Sequence, residues 1–461
     1  MAAMPVRPPA HATAHPSAGR VAGIAAAAAI TLVGVGWGMG ALDDEGASAQ
    51  AAAPTPTATS SAPASDAGIT SPEPSASPVD PLPETDPDVV FTLVTGGDVL
   101  THGPVLNSAL RVGDGEYDFA PLMAGVRDYV AGADLALCHL EVPVAPAGTQ
   151  PSGYPVFGAP SALVTALDAE GWDGCSTASN HSMDRRYAGL EATLDAFDEL
   201  RLGHSGMARS EQESLATQTY SVRQGDRTIE VASISFTYGL NGLPKPDGMP
   251  WAVDTFNADA ADVQPILDAA QRARDEGADV VIASVHCCVE YRTAPSDAQR
   301  SIVDQIGASG LVDLYIGHHA HVPQPIELVP GGVGGDGMWA AIGHGNFLSN
   351  QDTQCCVAAT NSGYILTSTI AVDPEGAVDV GVEWTAVTVD RLDSHTMHVL
   401  RDILDTGSAR ISATEAQARW QRVADAVGDE APERTSAPEA LADAAYTSLR
   451  WWQAPDGGSD G

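Results

Sequence analysis

The chain has 461 residues, a formal net charge of −38 and a single lysine, Lys245. That length accommodates one large domain or two of ordinary size. So acidic a chain is a poor partner for nucleic acid, which is held by lysine and arginine neutralising phosphates, and any polyanion would need local cations.

The first 49 residues read as an export segment. Arg7 and Arg20 are the only charges in residues 1–20, and Val21 to Leu42 then runs 22 residues without a charge. Ala47-Ser48-Ala49 follows, an A-x-A pattern suited to signal peptidase. The apolar run is also long enough to span a bilayer. Residues 1–49 are therefore expected to be a cleaved signal peptide or an N-terminal membrane anchor, with the rest of the chain on the extracytoplasmic face. Residues 50–88 are Ala, Pro, Ser and Thr with scattered acids. Such a composition cannot bury a core and reads as a disordered linker.

From Asp88 the pattern becomes regular. Val89 to Thr95 alternates like a strand and ends at Gly96-Gly97-Asp98; Phe119 to Ala131 has helical spacing. Asp134 to Cys138 is a short apolar strand ending at His139-Leu140-Glu141. A helical Ala162 to Glu170 precedes a strand from Trp172 to Thr177, which ends at Ser179-Asn180-His181, and Tyr187 to Leu200 is an amphipathic helix. A strand (Ile229 to Ser235), a helix (Ala260 to Glu276) and a strand ending at His286 (Asp279 to Val285) follow. Next come a helix (Asp297 to Ala308), the strand Val312 to Ile316 and the strand Met338 to Ile342, which runs into Gly343-His344-Gly345-Asn346, read as a tight turn. Further strands lie between 363 and 389. This alternation predicts an α/β fold with a largely parallel sheet in one main domain over residues 89–390, followed by a helical tail over 391–461.

Strand after strand ends in a nitrogen or oxygen donor. Asp98, Glu141, Asn180 with His181, and His286 are followed by the loop "GHHAHVPQP", with His318, His319 and His321. The carboxyl edge of an open α/β sheet is where ligands bind, and imidazole is the commonest metal ligand. In extended backbone the H-x-H spacing would point His319 and His321 to one side. Five donor-bearing ends on one sheet edge predict a metal centre. In an exported chain the six cysteines are expected to form disulfides, Cys138 with Cys175 and one of the 287/288 pair with one of the 355/356 pair.

The stretches "GGDVL", "HLEVPV", "SNHSMD", "VHCCVEY", "GHHAHVPQP" and "IGHGNFLSNQ", in this order, resemble the CapA family of poly-γ-glutamate capsule synthesis proteins. CapA proteins in turn look like members of the calcineurin-like metallophosphatase superfamily. The resemblance implies a two-sheet β-sandwich flanked by helices, with one or two divalent ions at the strand ends. Carried over by residue, the metal ligands are Asp98, Glu141 in the bridging place, Asn180, His286, His319 and His321, with His318 as an alternative partner. His181 takes the catalytic position. Carboxylate, amide and imidazole together suit Mn, Fe or Zn rather than Ca.

Several residues beside these motifs have two readings. Asp184 either orients the His181 imidazole or is an acid at the start of the following helix. Glu290 and Tyr291 are substrate contacts or turn residues. Where the superfamily has a histidine two residues after its first aspartate, this chain has Leu100; His102 follows and either takes the place of that histidine or contacts substrate, and His318 is a further substrate contact. The function implied is that of an exported, metal-dependent, hydrolase-like protein acting on poly-γ-glutamate or a related envelope polymer. The alternative is a non-catalytic envelope protein that binds the polymer or a membrane synthase partner.

Overall fold

The computed structural model describes residues 88–407 and 409–442. The expected export segment and all of the expected linker but Asp88 lie outside the described residues. No helix among the described residues is long and apolar enough to cross a membrane.

The described strands, in chain order, are β1 (Val89–Val99), β2 (Leu135–Leu140), β3 (Gly174–Ser176), β4 (Gly203–Ser205), β5 (Gln218–Gln224), β6 (Arg227–Thr237), β7 (Val280–His286), β8 (Leu314–His318), β9 (Ile326–Val329), β10 (Met338–Ala341), β11 (Asn346–Leu348), β12 (Ser362–Val372), β13 (Val378–Asp390) and β14 (Thr396–Val399). They form two sheets. One runs β14-β13-β12-β1-β2-β3-β4 with β11 also paired to β1; the other runs β5-β6-β7-β8-β10-β9. In each sheet the central strands are parallel, β1-β2-β3-β4 and β6-β7-β8-β10, and antiparallel strands flank them. The fold is thus the two-sheet α/β sandwich flanked by helices that the family resemblance implies, rather than one parallel sheet.

Period-two alternation explains both the layering and the apolar runs. Leu135 and Leu137 of β2 face the core between the sheets with Val280 and Ile282 of β7 and Leu314 and Ile316 of β8. The intervening Ala136 and Cys138 face the helices Ala162–Glu170 and Arg186–Leu200, while Val281, Ala283 and Tyr315 face the helices Gln264–Asp275 and Asp297–Ser309. Strands covered on both faces read as unbroken hydrophobic sequence. The inward rows do not stop at the last aliphatic residue. Continuing by twos, they reach His139, His286 and His318, all buried at the same end of the sandwich.

Three expectations need correction. The helix expected over Phe119 to Ala131 is two short pieces, Ala120–Met123 and Arg127–Ala131. Between them a Cβ on Gly125 would fall 2.3 Å from the Met397 carbonyl oxygen, so the chain thins where β14 crosses it. The stretch from 391 to 442 is not purely helical. β14 extends the first sheet, Ala416, Val423 and Val427 of the helix Ala413–Val427 join the inter-sheet core, and the buried Asp134 carboxylate accepts the backbone N–H groups of Leu441 and Ala442 at 2.9 Å. The disulfides are Cys138–Cys175, Cys287–Cys288 and Cys355–Cys356. The first joins partners paired across β2 and β3. The expected bridge between the two adjacent pairs is absent, because Cys287 is buried in a helix-facing core whereas Cys355 lies exposed on a turn.

Candidate metal centre

The end of β1 is bent to deliver Asp98. The pairing of β1 with β2 shifts register between Thr95 and Asp98, across Gly96-Gly97. A Cβ on Gly97 would fall 2.1 Å from the Gly345 carbonyl oxygen, so only glycine allows the approach that lets the Asp98 N–H donate to that oxygen at 2.9 Å. The shift turns the Asp98 carboxylate toward the second sheet. There Oδ1 lies 3.0 Å from His318 Nδ1, Oδ2 lies 3.0 Å from His321 Nδ1, and the His319 N–H donates to Oδ2 at 3.3 Å. Burial alone would raise the Asp98 carboxyl, but the hydrogen bonds from His318 and His321 outweigh it and hold it well below the usual carboxylate range.

Around Asp98 the inward histidines form a chain. His139 Nδ1 is 2.7 Å from Ser176 Oγ and its Nε2 is 3.0 Å from His286 Nδ1. His286 Nε2 is 3.0 Å from Asn180 Oδ1. The His139 and His318 rings stack with centroids 3.9 Å apart. Burial, with the neighbouring imidazoles, holds His139 and His286 well below the ordinary histidine range. Both are therefore neutral, the form that binds metal.

Glu141 is the outlier. Both carboxylate oxygens are buried and neither has a hydrogen-bond partner. Oε1 is 3.6 Å from His321 Nε2 and 4.0 Å from His286 Nε2. Burial pushes the Glu141 carboxyl well above its ordinary value; His321 opposes this, and the charges of Asp98 and Glu290 add to it. His321, drawn up by Glu141 and Asp98 against the effect of burial, lies at about 9.

Among the described residues two donor groups result, Asp98–His139–His286 and Asp98–Glu141–His321, each with ligand atoms within 4.8 Å of one another. They share Asp98. Mixed carboxylate and imidazole donors suit a divalent transition metal, and the orphaned oxygens of Glu141 are what a ligand without its ion leaves behind. The residues fit such an ion.

The sequence-predicted residues fall as follows. Asp98, Glu141, His286 and His321 sit within the two donor groups, and Asn180 adjoins them through His286. His319 lies outside both groups: its ring is 4.8 Å from that of His286, and its buried Nδ1 has no hydrogen-bond partner. The loop is not extended, as the H-x-H reading required, because His319 and His321 have φ of 82° and 56°. His318, expected to contact substrate, instead packs on Asp98, backed at 5.6 Å by the His344 ring. The acid common to both groups is Asp98 rather than Glu141.

His181 and Asp184 pair, with Nδ1 2.8 Å from Oδ2. Asp184 also accepts the Phe157 N–H at 2.7 Å, so its carboxylate serves His181 and a loop rather than the helix that begins at Arg186. His181, Asn180, His102, Glu290 and Tyr291 line a cleft of about 630 Å³ beside the donor groups. Burial holds His102 down at about 4, while Leu100 is buried in the helix-side core and faces no donor. Sequence reasoning passed over His139, His344 and the cleft residues Asn241 and Asn350. His139 carried a signal: it ends the same period-two row as Leu135 and Leu137.

The model of the bacterial capsule synthesis protein family PGA_cap matches residues 92–351, more than half of the chain. The chain belongs to this family. The PGA biosynthesis protein CapA of Bacillus subtilis is 28% identical over 159 residues, 34% of this chain and 39% of that protein. The match therefore spans about two fifths of that relative's length. Among solved structures, a phosphatase from Mycoplasma pneumoniae is 13% identical with a TM-score of 0.36, covering 65% of this chain and 94% of that one. A calcineurin-like phosphoesterase from Bacillus subtilis is 12% identical with a TM-score of 0.32, covering 73% and 97%.

Proposed function

We propose that this capsule synthesis protein is a metal-dependent hydrolase of the bacterial envelope, acting on poly-γ-glutamate or a related polymer. The observation that carries the reading is Asp98, shared by two donor groups beside an open cleft whose wall holds His181, backed by Asp184. Asp98, His139 and His286 would hold one divalent ion of the Mn, Fe or Zn type, and Asp98, Glu141 and His321 a second. When bound, such ions supply Lewis acidity and a water that ionises near neutral pH. The chain's own residues do the rest. Asp184 engages His181 Nδ1, which leaves Nε2 to carry the proton that a leaving group takes up. Glu290 and Tyr291 face the polymer across the cleft. Export through residues 1–49, as signal or anchor, would set the domain outside the membrane, within reach of the polymer and a synthase.

The test is a panel of phosphomonoesters, phosphodiesters and γ-glutamyl peptides, assayed with Mn, Fe or Zn on wild type and Asp98→Asn. Metal-dependent turnover that is lost in the variant supports the reading. Equal rates in both proteins, or no turnover with any metal, would leave a non-catalytic, polymer-binding role.

A further inference from the structure

Asn350 lies on the wall of the cleft, opposite in sequence but not in space to Arg391 and His395 of the turn between β13 and β14. Its side-chain Oδ1 accepts from Arg391 Nε at 3.0 Å and lies 2.9 Å from His395 Nε2. Arginine carries donors and no acceptor, so only the amide oxygen can face it, and the orientation of the carboxamide is decided. The same reasoning fixes the rest of the network. Arg111 donates to Ser108 Oγ at 3.0 Å, so the single hydroxyl proton of Ser108 is free for His395 Nδ1 at 2.8 Å. His395 then donates from Nε2 to Asn350. Burial, with Arg391 and Arg111, holds His395 down at about 4, consistent with a neutral ring of that tautomer.

Both lone-pair directions of Asn350 Oδ1 are thus used, while Nδ2 makes no hydrogen bond among the described residues. Asn350 is half-buried and its backbone N–H is directed at His102 Nδ1, 3.5 Å away. We infer that Asn350 is a substrate-binding residue, a fixed hydrogen-bond donor whose amide N–H groups take a carbonyl, carboxylate or phosphoryl oxygen of the ligand. Arg391 and His395 are the positioning residues that lock it donor-outward. Both lie beyond residue 351, where the family match ends, so the cleft is completed by a segment outside the matched stretch. This inference rests on reading the cleft as a substrate site.

The decisive variant is Asn350→Asp in the metal-loaded full chain. Aspartate has the same shape and keeps the acceptor for Arg391 and His395, but it replaces the donor with a second acceptor. A structural tie would survive the change, and a substrate donor would not. Using the substrate turned over best in the panel, KM is expected to rise about tenfold or more, with most of the effect in KM rather than kcat and with an undiminished melting temperature. Asn350→Ala, which also removes the donor, should shift KM in the same direction. Unchanged or lower KM in a folded Asn350→Asp protein overturns the inference while leaving the hydrolase reading in place. If wild type turns over nothing, calorimetric binding of inorganic phosphate and of a short γ-glutamyl oligomer decides. Weaker binding by both variants upholds the inference without the hydrolase reading; equal binding, or binding of neither probe by wild type, overturns it.

Discussion

Glu141→Gln should stabilise the metal-free protein and cost it part of its response to metal. Glutamine matches glutamate in size, and neither glutamate oxygen has a hydrogen bond to lose. A buried polar group without a partner costs about 1–3 kcal/mol, more when charged, and the attraction of His321 at 3.6 Å recovers part of that. The sign follows from linkage. A carboxyl raised in the folded state binds its proton more tightly there, so its contribution is intact at low pH and is lost as pH rises above the ordinary value of 4.5. The gain from Glu141→Gln should therefore be small in acid and reach about 1–3 kcal/mol near neutrality, a few degrees in melting temperature. Metal works the other way. Mn at a hundred times its dissociation constant adds about 2.7 kcal/mol per bound ion to the wild type, and the variant should lose most of the increment from the group that contains Glu141 while keeping that of the other group. The assay is thermal melting of both proteins after chelation and again with Mn added. A variant that is less stable without metal, yet gains as much from Mn as the wild type, would refute the reasoning.

Gly317→Ala would set a Cβ 1.8 Å from the Ile342 carbonyl oxygen, a backbone atom that can yield only by moving β10 away from β8. The expected cost is about 1–3 kcal/mol or more, read by urea melts, with weaker metal binding because His318 is the next residue. Burial raises Asp173 from 3.8 to about 6, against a hydrogen bond from the Ala136 N–H at 2.8 Å. Folded Asp173 holds its proton more tightly, so the wild type should lose up to about 3 kcal/mol relative to Asp173→Asn as pH rises from 3.8 through 6. Parallel pH profiles of the two proteins would contradict that assignment.

Much of the architecture was legible because β2, β7 and β8 are covered on both faces and read as apolar runs that stop at a donor, while β1 alternates up to one. The strands that escaped notice are short or polar. β4 and β11 have three residues each, β9 and β14 have four, and β5 (Gln218–Gln224) is polar except for Tyr220 and Val222. None is distinguishable from loop by local pattern. At the site, donor-bearing strand ends singled out Asp98, Glu141 and His286, which the fold brings close together, but not which histidine of a cluster meets which carboxylate. That choice depends on left-handed backbone at His319 and His321 and on the register shift before Asp98, both of which arise from tertiary packing. The Asn350 network was invisible for the same reason: its partners lie more than forty residues away, on either side.

The most direct test of the account is the metal content of the purified chain, measured by elemental analysis after reconstitution with Mn, Fe or Zn. Because Asp98 belongs to both donor groups, wild type should retain a stoichiometric divalent metal and Asp98→Asn should lose all of it, whereas Glu141→Gln should lose only the share bound by the group that contains Glu141. A wild type that retains no metal, or an Asp98→Asn protein that retains as much as the wild type, would contradict a metal centre built on Asp98.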